Sequence, residues 1–236
     1  MTTPLLELDD VNTAYGDSHV LHDVSLSIDD DEVVALLGRN GAGKTTTLRS
    51  ILGIQRPFEG AVRFRGEDIT SEETYQTADR GVKYVPEERR VFDTLTVEEH
   101  IRMAVESDYR SLDEERDRVY EIFPELEELK NAQARNLSGG QQQMLAIARA
   151  LIGPTELLML DEPFEGLAPK IIESIQQTIM ELKQNNTLLL VEQNFPMARV
   201  VSDRYYILDH GEVVSEGPMS KLEANEELKE TYLGVT

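Results

Sequence analysis

Residues 38–45 read G-R-N-G-A-G-K-T, which fits the spacing G-x-x-x-x-G-K-[ST] of a phosphate-binding loop. Gly38, Gly41 and Gly43 let the backbone wrap a polyphosphate with its N–H groups turned inward. Arg39, Asn40 and Ala42 complete the wrap, and all residues from Gly38 to Thr46 are candidate contacts. A helix opening at Lys44 offers its positive end to the same anion. Lys44 reaches the β and γ phosphates in this reading, and the Thr45 hydroxyl ligates Mg²⁺.

Two more segments carry chemistry. Residues 157–163 read L-L-M-L-D-E-P. An apolar strand ending in Asp161 puts a carboxylate at the C-terminal edge of a sheet, where ligands gather in such folds. Asp161 is placed to hold Mg²⁺ through water, and Glu162 to polarise an attacking water. A strand ending in Asp-Glu is weak evidence alone, and beside a phosphate loop the catalytic reading prevails. Residues 137–141 read L-S-G-G-Q. Ser138 and Gln141 have capping-box spacing at a helix start, and Gly139 and Gly140 leave N–H groups open to an anion. The same helix would bury Met144, Ile147, Ala148 and Leu151.

The elements that must position these residues alternate. Strands are expected at Val24–Ile28, Val33–Leu37, Ala61–Arg65, Val82–Val85, Leu157–Leu160 and Thr187–Val191, with a hairpin of Tyr205–Leu208 and Glu212–Val214 about Asp209-His210-Gly211. Helices are expected from Lys44 to about Leu52, from Pro169 to Lys183 and from Ser220 onward, with Pro196 in a first turn. From Thr94 to Asn136 the chain is charged and helix-forming, and Thr96 with Glu99 forms a capping box. Strands alternating with helices predict an α/β fold with a largely parallel sheet covered on both faces.

The chain has 236 residues, with 23 Lys and Arg against 45 Asp and Glu, a net charge of −22. The overall field repels phosphate backbones, so a phosphate site must be built locally and no nucleic-acid partner is expected. Apolar residues make up 40%, enough for a globular core. The absence of cysteine excludes disulfides, thiolate metal ligands and a thiol nucleophile. No signal peptide is evident, and no apolar run approaches the ~20 residues of a membrane span. The expected location is cytoplasmic, with any membrane connection through partners. Scattered acidity such as Asp29-Asp30-Asp31 resembles proteins of salt-loving organisms. His19, His22, His100 and His210 lack metal spacing and read as surface or turn residues.

G-R-N-G-A-G-K-T-T, L-S-G-G-Q-Q-Q-M and L-L-M-L-D-E-P, in this order, resemble ABC transporter ATPases over essentially the whole chain. The resemblance implies a P-loop NTPase, RecA-like core with an antiparallel β subdomain, and a helical subdomain inserted at about 88–150. It implies a head-to-tail dimer, with itself or a second homologous ATPase, holding two ATP molecules with Mg²⁺. Ser138, Gly139 and Gly140, with Gln141 beside them, would then meet the γ-phosphate held by the other subunit's Lys44. Tyr15 matches the aromatic that stacks on adenine. Residues 163–169, P-F-E-G-L-A-P, match the segment crossing the dimer interface.

Two positions depart from the family. After Tyr84-Val85-Pro86 most members have Gln where this chain has Glu87, and a carboxylate there is a good Mg²⁺ ligand. After Leu190-Val191-Glu192 most have a switch His where this chain has Gln193, which donates an N–H to the γ-phosphate but carries no positive charge. V-P-E-x-R-R-V-F, E-G-L-A-P, L-V-E-Q-N and A-N-E-E-L-K-E-T-Y-L-G resemble the second ATPase of branched-chain amino acid uptake systems, whose neighbours import urea or short amides. That subfamily implies two membrane permeases, docked on Glu88–Val105, and an extracellular solute-binding protein. The alternatives are an exporter motor, or an ABC ATPase acting on DNA or ribosomes. Against the last stand the single cassette, the missing heptads and the negative charge.

Overall fold

The computed structural model describes residues 3–105 and 111–234. Residues 106–110 of the expected helical stretch lie outside them. The chain opens with β1 (Leu6–Tyr15) and β2 (Ser18–Ile28), then β3 (Val33–Leu37), α1 (Lys44–Ile51), β4 (Glu59–Phe64), β5 (Glu67–Asp68), α2 (Thr74–Asp79) and β6 (Val82–Val85). Next come α3 (Val97–Ala104), α4 (Leu112–Ile122), α5 (Pro124–Glu128) and α6 (Gly139–Ala150). The last third is β7 (Leu157–Asp161), α7 (Pro169–Leu182), β8 (Thr187–Glu192), α8 (Phe195–Ala198), β9 (Arg204–Asp209), β10 (Glu212–Pro218) and α9 (Met219–Glu223).

The strands form two sheets. One is antiparallel with order β2-β1-β4-β5; the other has order β10-β9-β3-β8-β7-β6 and is parallel except for the β9–β10 hairpin. Strand period divides the parallel sheet between two cores. Val33, Ala35, Leu37, Leu158, Leu160, Leu188 and Leu190 face the side of α6 and α7. Val34, Leu36, Leu157, Met159, Leu189 and Val191 face the antiparallel sheet and α1. Continuous apolar strands such as β3 and β8 are buried on both faces, as a covered parallel sheet requires. The result is a P-loop NTPase α/β fold joined to an antiparallel layer.

Some elements differ from the sequence expectation. β1 was not expected and β2 begins at Ser18 rather than Val24. In β1 the alternation breaks where Asp10 takes a left-handed backbone, φ 49, and pairing with β2 shifts between Leu8 and Val11. The bulge moves the buried set from Leu6 and Leu8 to Val11 and Thr13, which hides the period. Short α2 was also unexpected. The capping boxes at Thr96 and Ser138 form as read, and Pro196 lies in the first turn of α8.

His100 is not the surface or turn residue expected, whereas His19 and His210 are exposed. His100 is fully buried: it accepts from the Phe92 N–H at 2.8 Å through Nε2, while its Nδ1 lies 2.8 Å from the Thr96 carbonyl. That pairing requires the neutral Nδ1–H tautomer, and burial holds the ring's pKa below its ordinary value. The rings of His19 and His22 pack at 3.9 Å between centroids.

Candidate functional site

Register brings the site together. Leu37 pairs with Glu192 and Asp161 with Val191, so β3, β7 and β8 end at one edge of the parallel sheet. The loop after β3 runs straight into α1. Gly41 and Gly43 take φ of 85 and 110, and Gly43 has no room for a side chain, because a Cβ would lie 2.8 Å from Leu21 Cδ2. Gly38 and Ala42 are buried in the loop, whereas Arg39 and Asn40 point outward. A cleft of about 370 Å³ opens over it, lined by Asn40, Gly41, Gly43, Lys44, Thr45, Thr46, Tyr15, Glu87, Glu162 and Glu165 among others.

Lys44 is almost wholly buried. Its ammonium donates to the carbonyls of Gly38 at 2.8 Å and Arg39 at 3.3 Å, and stands 3.2 Å from Glu162 Oε1. Glu162 has φ 47, uncommon for a residue with a side chain, and its N–H bonds the Val191 carbonyl at 2.9 Å. That turn swings its carboxylate away from the course of β7 and over the loop.

Asp161 is 2% exposed. Tyr84 donates to its Oδ2 at 3.0 Å, and Oδ1 has no protein partner. Burial raises its pKa, against the hydroxyls of Tyr84 and Thr45, which favour the carboxylate. A buried carboxylate oxygen without a partner, next to the Thr45 hydroxyl that lines the cleft, is a donor set for a hard oxygen-seeking cation, so Mg²⁺ fits Thr45 and Asp161. Glu87 lines the same cleft as the Glu165 carboxylate. Partial burial, Glu165, Glu162 and Asp161 together raise its pKa. Among the described residues no three His, Cys, Asp or Glu side chains form a metal cage of their own.

Tyr15 is partly exposed at the cleft, its hydroxyl receiving Arg49 at 3.4 Å. Gln193 does not line this cleft; it lines an adjoining cavity of about 720 Å³ that shares Glu162 and Glu165. Ser138, Gly139, Gly140 and Gln141 line neither. Ser138 caps α6, accepting from Gln141 N–H at 3.3 Å, and Gln141 Oε1 accepts from Ser138 N–H at 2.8 Å. One chain therefore gathers the phosphate loop, the carboxylates and Tyr15, and leaves the L-S-G-G-Q helix start elsewhere.

Sequence reasoning assigned no role to Glu192, yet it is 2% exposed beneath the site. Its two oxygens accept from the N–H groups of Phe164 at 3.4 Å and Asn194 at 3.3 Å. Burial pushes its pKa to about 7. A charged residue ending an otherwise apolar strand was the available signal. The sequence places Glu165 and Arg89 only within the 163–169 and 88–105 segments, with no role at the cleft.

A family model described as ABC transporter matches residues 21–165. The chain is 40% identical over 232 residues to the high-affinity branched-chain amino acid transport ATP-binding protein BraG of Pseudomonas aeruginosa, covering 98% of this chain and 100% of the relative. It is 37% identical to a probable branched-chain amino acid transport ATP-binding protein, LivF, of Archaeoglobus fulgidus, over 95% and 97% of the two chains. It is also 33% identical to the lipopolysaccharide export system ATP-binding protein LptB of Haemophilus influenzae, over 98% and 97%. A solved ATP-binding subunit of an ABC transporter superposes with a TM-score of 0.83 at 31% identity, covering 98% of this chain and 96% of that one.

Proposed function

We propose, because this chain belongs to the ABC transporter family as an ATP-binding and ATP-hydrolysing subunit, that it powers an importer of branched-chain amino acids. The observation that carries the enzymatic reading is that Lys44, Thr45 and Glu162 line one phosphate-sized cleft, with Asp161 buried beside Thr45. The solute reading draws on the similarity to BraG and LivF along nearly the whole chain.

Backbone N–H groups of residues 41–46 and the start of α1 bind the β and γ phosphates of ATP. Lys44 exchanges its contacts with Gly38, Arg39 and Glu162 for phosphate oxygens. Glu162, released, orients a water for in-line attack on the γ-phosphorus, and ADP departs with the bond's electron pair. Thr45 and Asp161, with Glu87 as a further ligand, would hold Mg²⁺, whose charge would offset that of the phosphates. Tyr15 stacks on the adenine, and Gln193 donates to the γ-phosphate from the adjoining cavity. Ser138, Gly139, Gly140 and Gln141 serve the nucleotide of a second ATPase arranged head to tail. Two membrane permeases, fed by an extracellular solute-binding protein, take up the motion on the 88–105 segment at the inner membrane face. Among the described residues no helix is long and apolar enough to cross a membrane. The net charge of −22 supports a saline working environment.

A tagged pull-down from native membranes with mass spectrometry tests the assembly. Two permeases, a second ATPase and an amino-acid-type binding protein are the expected companions. The LptB likeness supports a second reading, in which lipid-export permeases are recovered without a binding protein.

A further inference from the structure

Arg89 stands where three segments of the site meet. Its backbone is left-handed, φ 60, and Arg90 follows at φ 46. Two successive residues with side chains in that region cost free energy and persist only where their surroundings hold them. Backbone bonds from the Arg89 N–H to the Pro86 carbonyl at 3.1 Å and from the Arg90 N–H to the Glu88 carbonyl at 2.6 Å close the turn, and the Arg89 side chain ties it to its neighbours. Its Nε donates to Gln143 Oε1 at 3.3 Å and its Nη2 to the Glu165 carbonyl at 3.3 Å. Its Nη1 lies against Gly139, 3.1 Å from the point a Cβ there would occupy. Gln143 is 2% exposed and its amide nitrogen has no partner, so among the described residues Arg89 supplies that side chain's one hydrogen bond.

The same loop is fastened farther on. Arg149, near the end of α6, donates to the Arg90 carbonyl at 2.9 Å and stacks its guanidinium 5.8 Å over Phe92. The Phe92 N–H is held in turn by His100. The loop that presents Glu87 to the phosphate cleft therefore lies along α6, tied at the helix start by Arg89 and at its end by Arg149. Arg89 does not line the phosphate cleft itself, so its charge is not spent on a nucleotide in the same chain. The planar fork of arginine suits this task, since it bonds two partners in fixed geometry where an ammonium acts as a point.

We propose that Arg89 is a positioning residue that fastens the Glu87 loop to the start of α6, so that filling the phosphate cleft of one chain sets the attitude of its own Ser138–Gly140 segment. This rests on the reading that Glu87 meets the bound nucleotide's metal and that Ser138–Gly140 faces a second nucleotide. Through Arg89 the two contacts belong to one rigid piece.

Hydrogen exchange followed by mass spectrometry tests it, with Mg²⁺ and a non-hydrolysable ATP analogue as probe and the chain dilute enough to be monomeric by light scattering. In the unaltered chain, amides of residues 86–92 and of residues 138–143 slow together, by about fivefold. In Arg89→Ala the phosphate loop and residues 86–92 still slow, while residues 138–143 no longer respond. Arg89→Lys keeps the charge and the stem but cannot span Gln143 and Glu165, so it loses the same response; it carries the test if the alanine variant is unstable. An equal response of residues 138–143 in both variants overturns the proposal, as does no response there in the unaltered chain. No slowing at residues 38–46 in any variant would overturn the nucleotide-site reading instead.

Discussion

The ammonium of Lys44 and the carboxylate of Glu162 form a 3.2 Å ion pair across the phosphate cleft, each occupying the other where a nucleotide would need both. The pair lies at 4% and 13% side-chain exposure, where water screens it poorly. ATP must break it, and the two partners have opposite duties afterwards. Lys44→Ala removes charge-assisted bonds to phosphate and weakens ATP binding by about 100-fold. Glu162→Gln loses the competing pair, binds ATP a few times more tightly, and hydrolyses it about a thousandfold more slowly. Titration with a fluorescent ATP analogue and a phosphate-release assay read both numbers. Equal hydrolysis by Glu162→Gln and the unaltered chain would remove Glu162 from the mechanism.

The unpartnered Oδ1 of Asp161 sets a second expectation. Asp161→Asn keeps the Tyr84 contact through its amide oxygen but offers the cation no charge. The Mg²⁺ concentration for half-maximal hydrolysis rises by about tenfold. Glu87→Gln moves it less, because an amide oxygen still ligates a hard cation. A Mg²⁺ titration that is superimposable for Asp161→Asn and the unaltered chain contradicts the assignment.

Glu192 makes stability depend on pH in a definite direction. Its carboxyl ionises at its ordinary 4.5 in the unfolded chain and at about 7 in the fold, driven first by burial. Between those values the native state holds the extra proton, so stability falls as pH rises from 4.5 to about 7 and stays at the lower level above. The loss is about 3 kcal/mol at 1.36 kcal/mol per decade. Glu192→Gln removes this slope. Urea unfolding of the nucleotide-free protein at pH 5 and pH 8 should show the variant gaining on the unaltered chain by about that amount; parallel curves would mean that Glu192 is charged in the fold throughout.

With a charge of −22, the folded chain repels itself. Many of its ion pairs are exposed, such as Arg56–Glu73, and contribute little of their own, so salt weakens repulsion more than attraction. The melting temperature rises by about 10 °C between about 0.1 M and 2 M KCl. A flat or falling response would speak against an adaptation to salt.

The parts most legible in sequence were those whose chemistry is local. The phosphate loop, the capping boxes at Thr96 and Ser138, and the buried runs of β3, β7 and β8 each declare themselves within a dozen residues. β1 did not, because a bulge at Asp10 resets its period midway. His100 read as a surface residue because its two partners, the Phe92 N–H and the Thr96 carbonyl, are backbone groups that any sequence supplies.

By itself the sequence determined which residues can bind phosphate, ligate a hard cation and activate water, since those capacities are fixed by side-chain type and short spacing. Only the tertiary structure decided which of them meet. Lys44 and Glu162 are paired because β3, β8 and β7 lie side by side in parallel register, ending Leu37, Glu192 and Asp161 at one edge. Ser138 is absent from that edge because α6 starts away from it, with Arg89 at its first turn. Register between distant strands is chosen by burial of their two faces, a sum over the whole core that no short motif contains.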